Sequence, residues 1–112
     1  MEFVDLYGEW QLTENFANSL PAECRDFRAE VSQNQLKYFS GAQVITITSK
    51  IAKRRETFTF LVSDVEVNDE PDCQGNSPEE SQRLWGTLQM WRDQGGYIEV
   101  LAPRKILELE KP

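Results

Sequence analysis

A chain of 112 residues fits one domain, residues 1–112, and 39% hydrophobic residues with three Trp, six Phe and three Tyr exclude a disordered chain. No run approaches the roughly 18 apolar residues needed to cross a bilayer, and a net charge of −7 disfavours nucleic acid and anionic membranes as partners. Histidine is absent, so neither a Ser-His-Asp nor a Cys-His arrangement can be built, and two cysteines fall short of a structural zinc site.

Met1 is followed by Glu2 and Asp5, without a basic or apolar leader, so the chain as it stands is expected to carry no signal peptide. Residues 3–14 place Val4, Leu6, Trp10 and Leu12 in a pattern that reads as a first strand, with a bend or a close approach at Gly8. Phe16 and Leu20 are spaced for a short helical turn over one end of a sheet, before turn chemistry at residues 18–21. Phe27, Ala29 and Val31 alternate with polar residues, as do Leu36 and Tyr38. Two strands follow, joined at Gln33-Asn34 with Asn34 in a left-handed conformation.

Residues 43–67 carry the strongest signal. Ile45 and Ile47, then Phe58, Phe60 and Val62, then Val65 and Val67 alternate with polar positions, which predicts two strands folded on a basic turn with Lys50, Lys53, Arg54 and Arg55. The alternation slips by one at Ser63–Asp64, as at a bulge. Residues 68–78 form a long polar connection. Ser77-Pro78-Glu79-Glu80 has the grammar of a helix start, with Ser77 as cap and Glu80 as its capping-box partner. Gly86 and Thr87 limit this helix to a turn over 78–83, followed by a strand near 84–92. Asp93-Gln94-Gly95-Gly96 turns the chain into strands over Tyr97–Val100 and Ile106–Leu109, with a bend at Pro103-Arg104.

About eight short strands at intervals near ten residues predict an all-β fold. It is read as a small antiparallel up-and-down barrel with one or two helical turns and less than about a fifth of its residues helical. The alternative is α+β, with a helix over 78–94 on a curved antiparallel sheet.

Cys24 and Cys73 both lie in turn-rich polar sequence, which favours a disulfide over free buried thiols. A disulfide implies an oxidising compartment, periplasmic or secreted; without it a cytoplasmic location is expected.

The segment Tyr7-Gly8-Glu9-Trp10-Gln11-Leu12 resembles the G-x-W opening of the calycins, the lipocalins and fatty-acid-binding proteins. The resemblance covers about ten residues and rests on Gly8 and Trp10. It implies a lipocalin-like barrel whose closed end Trp10 plugs, under a later arginine for which Arg104 is the candidate.

Seven carboxylates lie between Asp64 and Glu80 with no Lys or Arg among them, while the rest of the chain is neutral. No phosphate-binding glycine motif, paired-carboxylate cleft or calcium loop is apparent, so no catalytic residue, cofactor or metal is expected. The expected function is that of a non-enzymatic binding module for a protein or a small apolar ligand, monomeric or weakly dimeric. The alternative is an acidic inhibitor or immunity protein that covers a basic site on a partner enzyme. The candidate partner-binding residues are Glu66, Asp69, Glu70 and Asp72, on a rim set apart from the basic turn.

Overall fold

The structure is a computed structural model describing residues 1–112. The strands are β1 (Gly8–Leu12), β2 (Arg28–Val31), β3 (Gln35–Ser40), β4 (Gln43–Arg54), β5 (Thr57–Val67), β6 (Gln89–Asp93), β7 (Ile98–Leu101) and β8 (Lys105–Glu110). Each pairs antiparallel with the next, and β8 returns to β1 through Gln11 opposite Glu110 and Leu12 opposite Leu109. The result is a closed up-and-down barrel. Three short helices, α1 (Phe3–Leu6), α2 (Glu14–Asn18) and α3 (Pro78–Trp85), and a 3-10 turn at Ala22–Cys24 make up the 20 helical residues, within the expected fifth.

The long hairpin of β4 and β5 forms where period-two alternation predicts it. Its register shifts where Thr48 and Ser49 face Asp64 and Val62, so Ser63 is the extra residue of a bulge. The turn holds Arg55 at a φ of 57°, while Lys50 and Lys53 lie within β4.

Further details differ from the sequence reading. The first strand begins at Gly8, because residues 3–6 form α1 instead. Glu2 and Asp5 build a reciprocal capping box there, and the Trp10 Nε1–H donates to the Leu6 carbonyl at 2.8 Å. Gly8, at a φ of 113°, then redirects the chain into the sheet. Asn34 does not take a left-handed conformation. Arg55 is the only residue other than glycine that does. Finally, α3 runs two residues beyond 83, neither stopping at one turn nor reaching 94. The buried Trp85 anchors its last turn, the Gly86 N–H bonds to the Gln82 carbonyl, and β6 starts at Gln89. Burial of one aromatic ring outweighed the strand preference of the residues after it.

An eight-stranded barrel is only just wide enough to be filled by side chains, and this one is filled with aromatic rings. Phe27, Tyr38 and Trp85 stack at one end, with Tyr38 and Trp85 centroids 4.2 Å apart. Phe60, Trp91 and Trp10 continue toward the other, Trp91 lying 5.3 Å from Phe60 and 5.8 Å from Trp10. The two groups join through the Trp91 Nε1–H, which donates to the Tyr38 hydroxyl at 3.1 Å. That hydroxyl donates to Gln89 Oε1 at 2.7 Å, and Gln89 Nε2–H donates to the Trp85 carbonyl at 2.8 Å. The buried polar groups of this column thus satisfy one another.

Trp10 is buried against Trp91, and its Nε1–H is held by the last carbonyl of α1. The cation over its ring is not Arg104, however, which lies in the β7–β8 turn at the opposite end. Lys111 takes that place, its Nζ 4.7 Å from the ring centroid and 2.5 Å from the Tyr7 carbonyl. The C-terminus follows β8 to the Trp10 end, so a residue just past β8 is the one that reaches the ring.

Candidate interaction surface at the disulfide-held mouth

The strand order gives the barrel two unlike ends. The β1–β2, β3–β4, β5–β6 and β7–β8 connections meet at one mouth, away from α1. They carry eight carboxylates against three arginines, so most of the net charge is at this end. The basic turn between β4 and β5 is at the other, separated from the acidic connection by the 12 residues of β4. On the order of 30 Å of strand lies between them. There Lys53 pairs with Glu2 at 3.6 Å, while Arg54 and Arg55 are exposed.

Local bonds hold the acidic connection in one shape. Cys73 is joined to Cys24 in the 3-10 turn, as the turn contexts of the two cysteines predict. Its N–H donates to Ser40 Oγ at 3.1 Å at the end of β3. Gly41 stands against this junction at a φ of 59°, where a Cβ would come within 3.4 Å of the Cys73 backbone. Asn68 bridges to β4 by accepting from the Val44 N–H and donating to the Ala42 carbonyl. Gln43 donates to the Glu70 carbonyl at 2.9 Å. The connection enters α3 through Ser77, whose hydroxyl accepts from the Glu80 N–H while Glu80 accepts from the Ser77 N–H. That backbone bond, helped by the Ser77 hydroxyl, holds the Glu80 carboxyl below its usual range.

Within this frame the four candidate residues divide. Glu66 points outward from β5, and Asp69 and Glu70 are exposed in the connection. Asp72 is half-buried and engaged internally: Oδ1 accepts from the N–H groups of Gln74 and Asn76, and Oδ2 from the Asn76 amide. It shapes the rim, while the other three face solvent. None of the six ion pairs in the molecule involves a carboxylate of residues 64–80.

A cleft of about 200 Å³ opens beside the disulfide, between α2, the 3-10 turn, α3 and β8. Its floor is Phe27, Trp85 and Leu107, and its lip includes Phe16, Leu20 and Leu84. These apolar residues are absent from the sequence-derived site. Phe16 and Leu20 read as a turn over the sheet, but nothing linear connects them to Leu84 or β8. A larger hollow, about 340 Å³, lies against the outside of β1–β3, but among its lining residues only Val31 is apolar. It offers little surface to desolvate, so the cleft at the mouth is the stronger candidate.

A scan against protein-family models finds no match, and searches of the curated proteins and of the solved structures find none either. No helix is long and apolar enough to cross a membrane.

Proposed function

We propose that this chain is a non-enzymatic recognition module with a calycin-like build, which docks the acidic mouth of its barrel on a basic protein surface. The observation that carries the reading is the aromatic column from Phe27 to Trp10, which fills the space where a barrel of this size would enclose a ligand. A filled interior moves recognition from the inside of the barrel to its rim. The rim keeps a net negative charge, none of the carboxylates of residues 64–80 is in an ion pair, and the loop is already ordered, so docking costs little further conformational entropy. A disulfide-held loop suits a secreted or periplasmic location. An inhibitor that covers a basic active site is a special case of the same reading, favoured by the concentration of carboxylates at one end.

The test uses a partner recovered with the oxidised protein as bait. Glu66, Asp69 and Glu70 are changed together to their amides, leaving Asp72 to hold the loop. The association rate should fall, and its dependence on salt should flatten, with the melting temperature little changed. An unchanged rate and salt slope would return the acidic stretch to a solubilising role.

A further inference from the structure

The cleft has a size and a setting that narrow what it receives. Small-molecule sites typically enclose about 300–1,000 Å³, whereas this one holds about 200 Å³. That is room for one large side chain. The floor is preformed: Phe27, Trp85 and Leu107 are each less than a tenth exposed, and Trp85 is stacked on Tyr38. Cys24 and Cys73 form part of the wall, so the disulfide fixes its width. Leu84, on the lip, is 46% exposed although it belongs to the helix that carries Trp85. On the remaining side stand Asp72, Gln74 and Asn76, and the chain leads back from Asp72 to the exposed Glu70 and Asp69, which form no ion pair; the cation at the lip is Arg25, whose Nε–H donates to the Leu20 carbonyl. Protein interfaces concentrate their binding energy in well-packed pockets that exclude water, and complementary charge nearby speeds encounter.

We propose that this cleft receives one apolar side chain of a basic protein partner, a leucine or phenylalanine flanked in sequence by lysine or arginine. The apolar residue seats on Phe27, Trp85 and Leu107 against Leu84. The flanking cations meet the acidic rim. The inference rests on the surface-recognition reading above and adds the chemistry of the anchor. The cleft contributes lifetime to the complex, and the carboxylates contribute encounter rate.

The experiment titrates the oxidised, ¹⁵N-labelled 112-residue chain with four probes: acetyl-Lys-Leu-Lys-amide, acetyl-Lys-Ala-Lys-amide, acetyl-Glu-Leu-Glu-amide and acetyl-leucinamide. The Lys-Leu-Lys peptide should shift the amides of Phe16, Leu20, Leu84 and Trp85 saturably, at least about tenfold tighter than the other three, since about 1.4 kcal/mol is a tenfold change. Leu84→Asp, at an exposed position where the fold is retained, should abolish that binding. Equal binding of acetyl-leucinamide would overturn the proposal in favour of a small apolar ligand. Shifts confined to residues 66–72 would overturn it in favour of charge alone, and wild-type affinity in Leu84→Asp would overturn it outright. Should no peptide bind while the triple amide variant still slows association with the recovered partner, the cleft proposal falls and the surface reading stands. Should both fail, both fall.

Discussion

Tyr38→Phe removes one oxygen atom and breaks the link between the two halves of the aromatic column. In the native protein that hydroxyl accepts from Trp91 Nε1–H at 3.1 Å and donates to Gln89 Oε1 at 2.7 Å, and all three residues are fully buried. Without it, one buried donor and one buried acceptor lose their partners. Each such group costs about 1–3 kcal/mol, so the expected loss is about 2–6 kcal/mol. A domain of this length is stable by only about 6–17 kcal/mol. With about 4 °C lost per kcal/mol, the melting temperature should fall by roughly 8–24 °C. Thermal and urea unfolding of the variant measure it. Gln89→Met in the same chain removes the orphaned acceptor. The double variant should therefore be more stable than the sum of the single losses predicts, by about 1 kcal/mol or more. A neutral Tyr38→Phe, or strict additivity in the cycle, would refute the view that the hydroxyl joins the column.

Denatured without reductant, the protein should show no reactive thiol, and reduction of its 49-residue disulfide separation should cost about 4 kcal/mol of stability in the loop-entropy account. Gly8→Ala should destabilise by about 1–3 kcal/mol, because a φ of 113° is strained for any residue with a Cβ; its melting temperature tests this. Burial raises the Tyr38 phenol above its ordinary 10.0. The folded state therefore holds this proton more tightly than the unfolded chain. The resulting stability is fully present below pH 10 and is lost as pH rises beyond it, so alkaline unfolding should be steeper in the wild type than in Tyr38→Phe. The lowered carboxyl of Glu80 works in the opposite sense. Its contribution is present above the ordinary 4.5 and is lost as pH falls through the folded value, so Glu80→Gln should flatten the acid limb of the melting-temperature profile.

The barrel was legible because its signals are local. Alternation in residues 43–67 is carried by neighbouring residues, and even the slip at Ser63 marked the true bulge. The cysteine pairing was legible from two turn contexts, and the α3 start from the Ser77 capping box. The errors fall where a specific contact, near or distant in the chain, overrides the spacing of apolar residues. Residues 3–6 share the spacing of a strand, yet Leu6 lies against Trp10 as the last residue of a helical turn. Trp85 belongs to the helix because Tyr38, 47 positions earlier in the chain, offers its ring a stacking surface. Lys111 rather than Arg104 covers Trp10 because strand direction, not residue type, sets which cation reaches that end. The acidic rim could be named from composition. The cleft beside it could not, since its walls come from four separate connections and strands that only closure of the barrel brings together. The internal role of Asp72 was hidden for a related reason: its bonds to Gln74 and Asn76 distinguish it from Asp69 and Glu70, which look the same in a charge count.

The central claim is that recognition runs through the disulfide-held mouth, and hydrogen exchange of the complex with its recovered partner tests it most directly. Backbone amides should gain protection in residues 13–27 and 66–88, the segments that frame the cleft and its acidic rim. Exchange in the β4–β5 turn around Arg54–Glu56 should be the same in the free and bound states. Protection concentrated at that basic turn, with the mouth exchanging freely, would contradict the account.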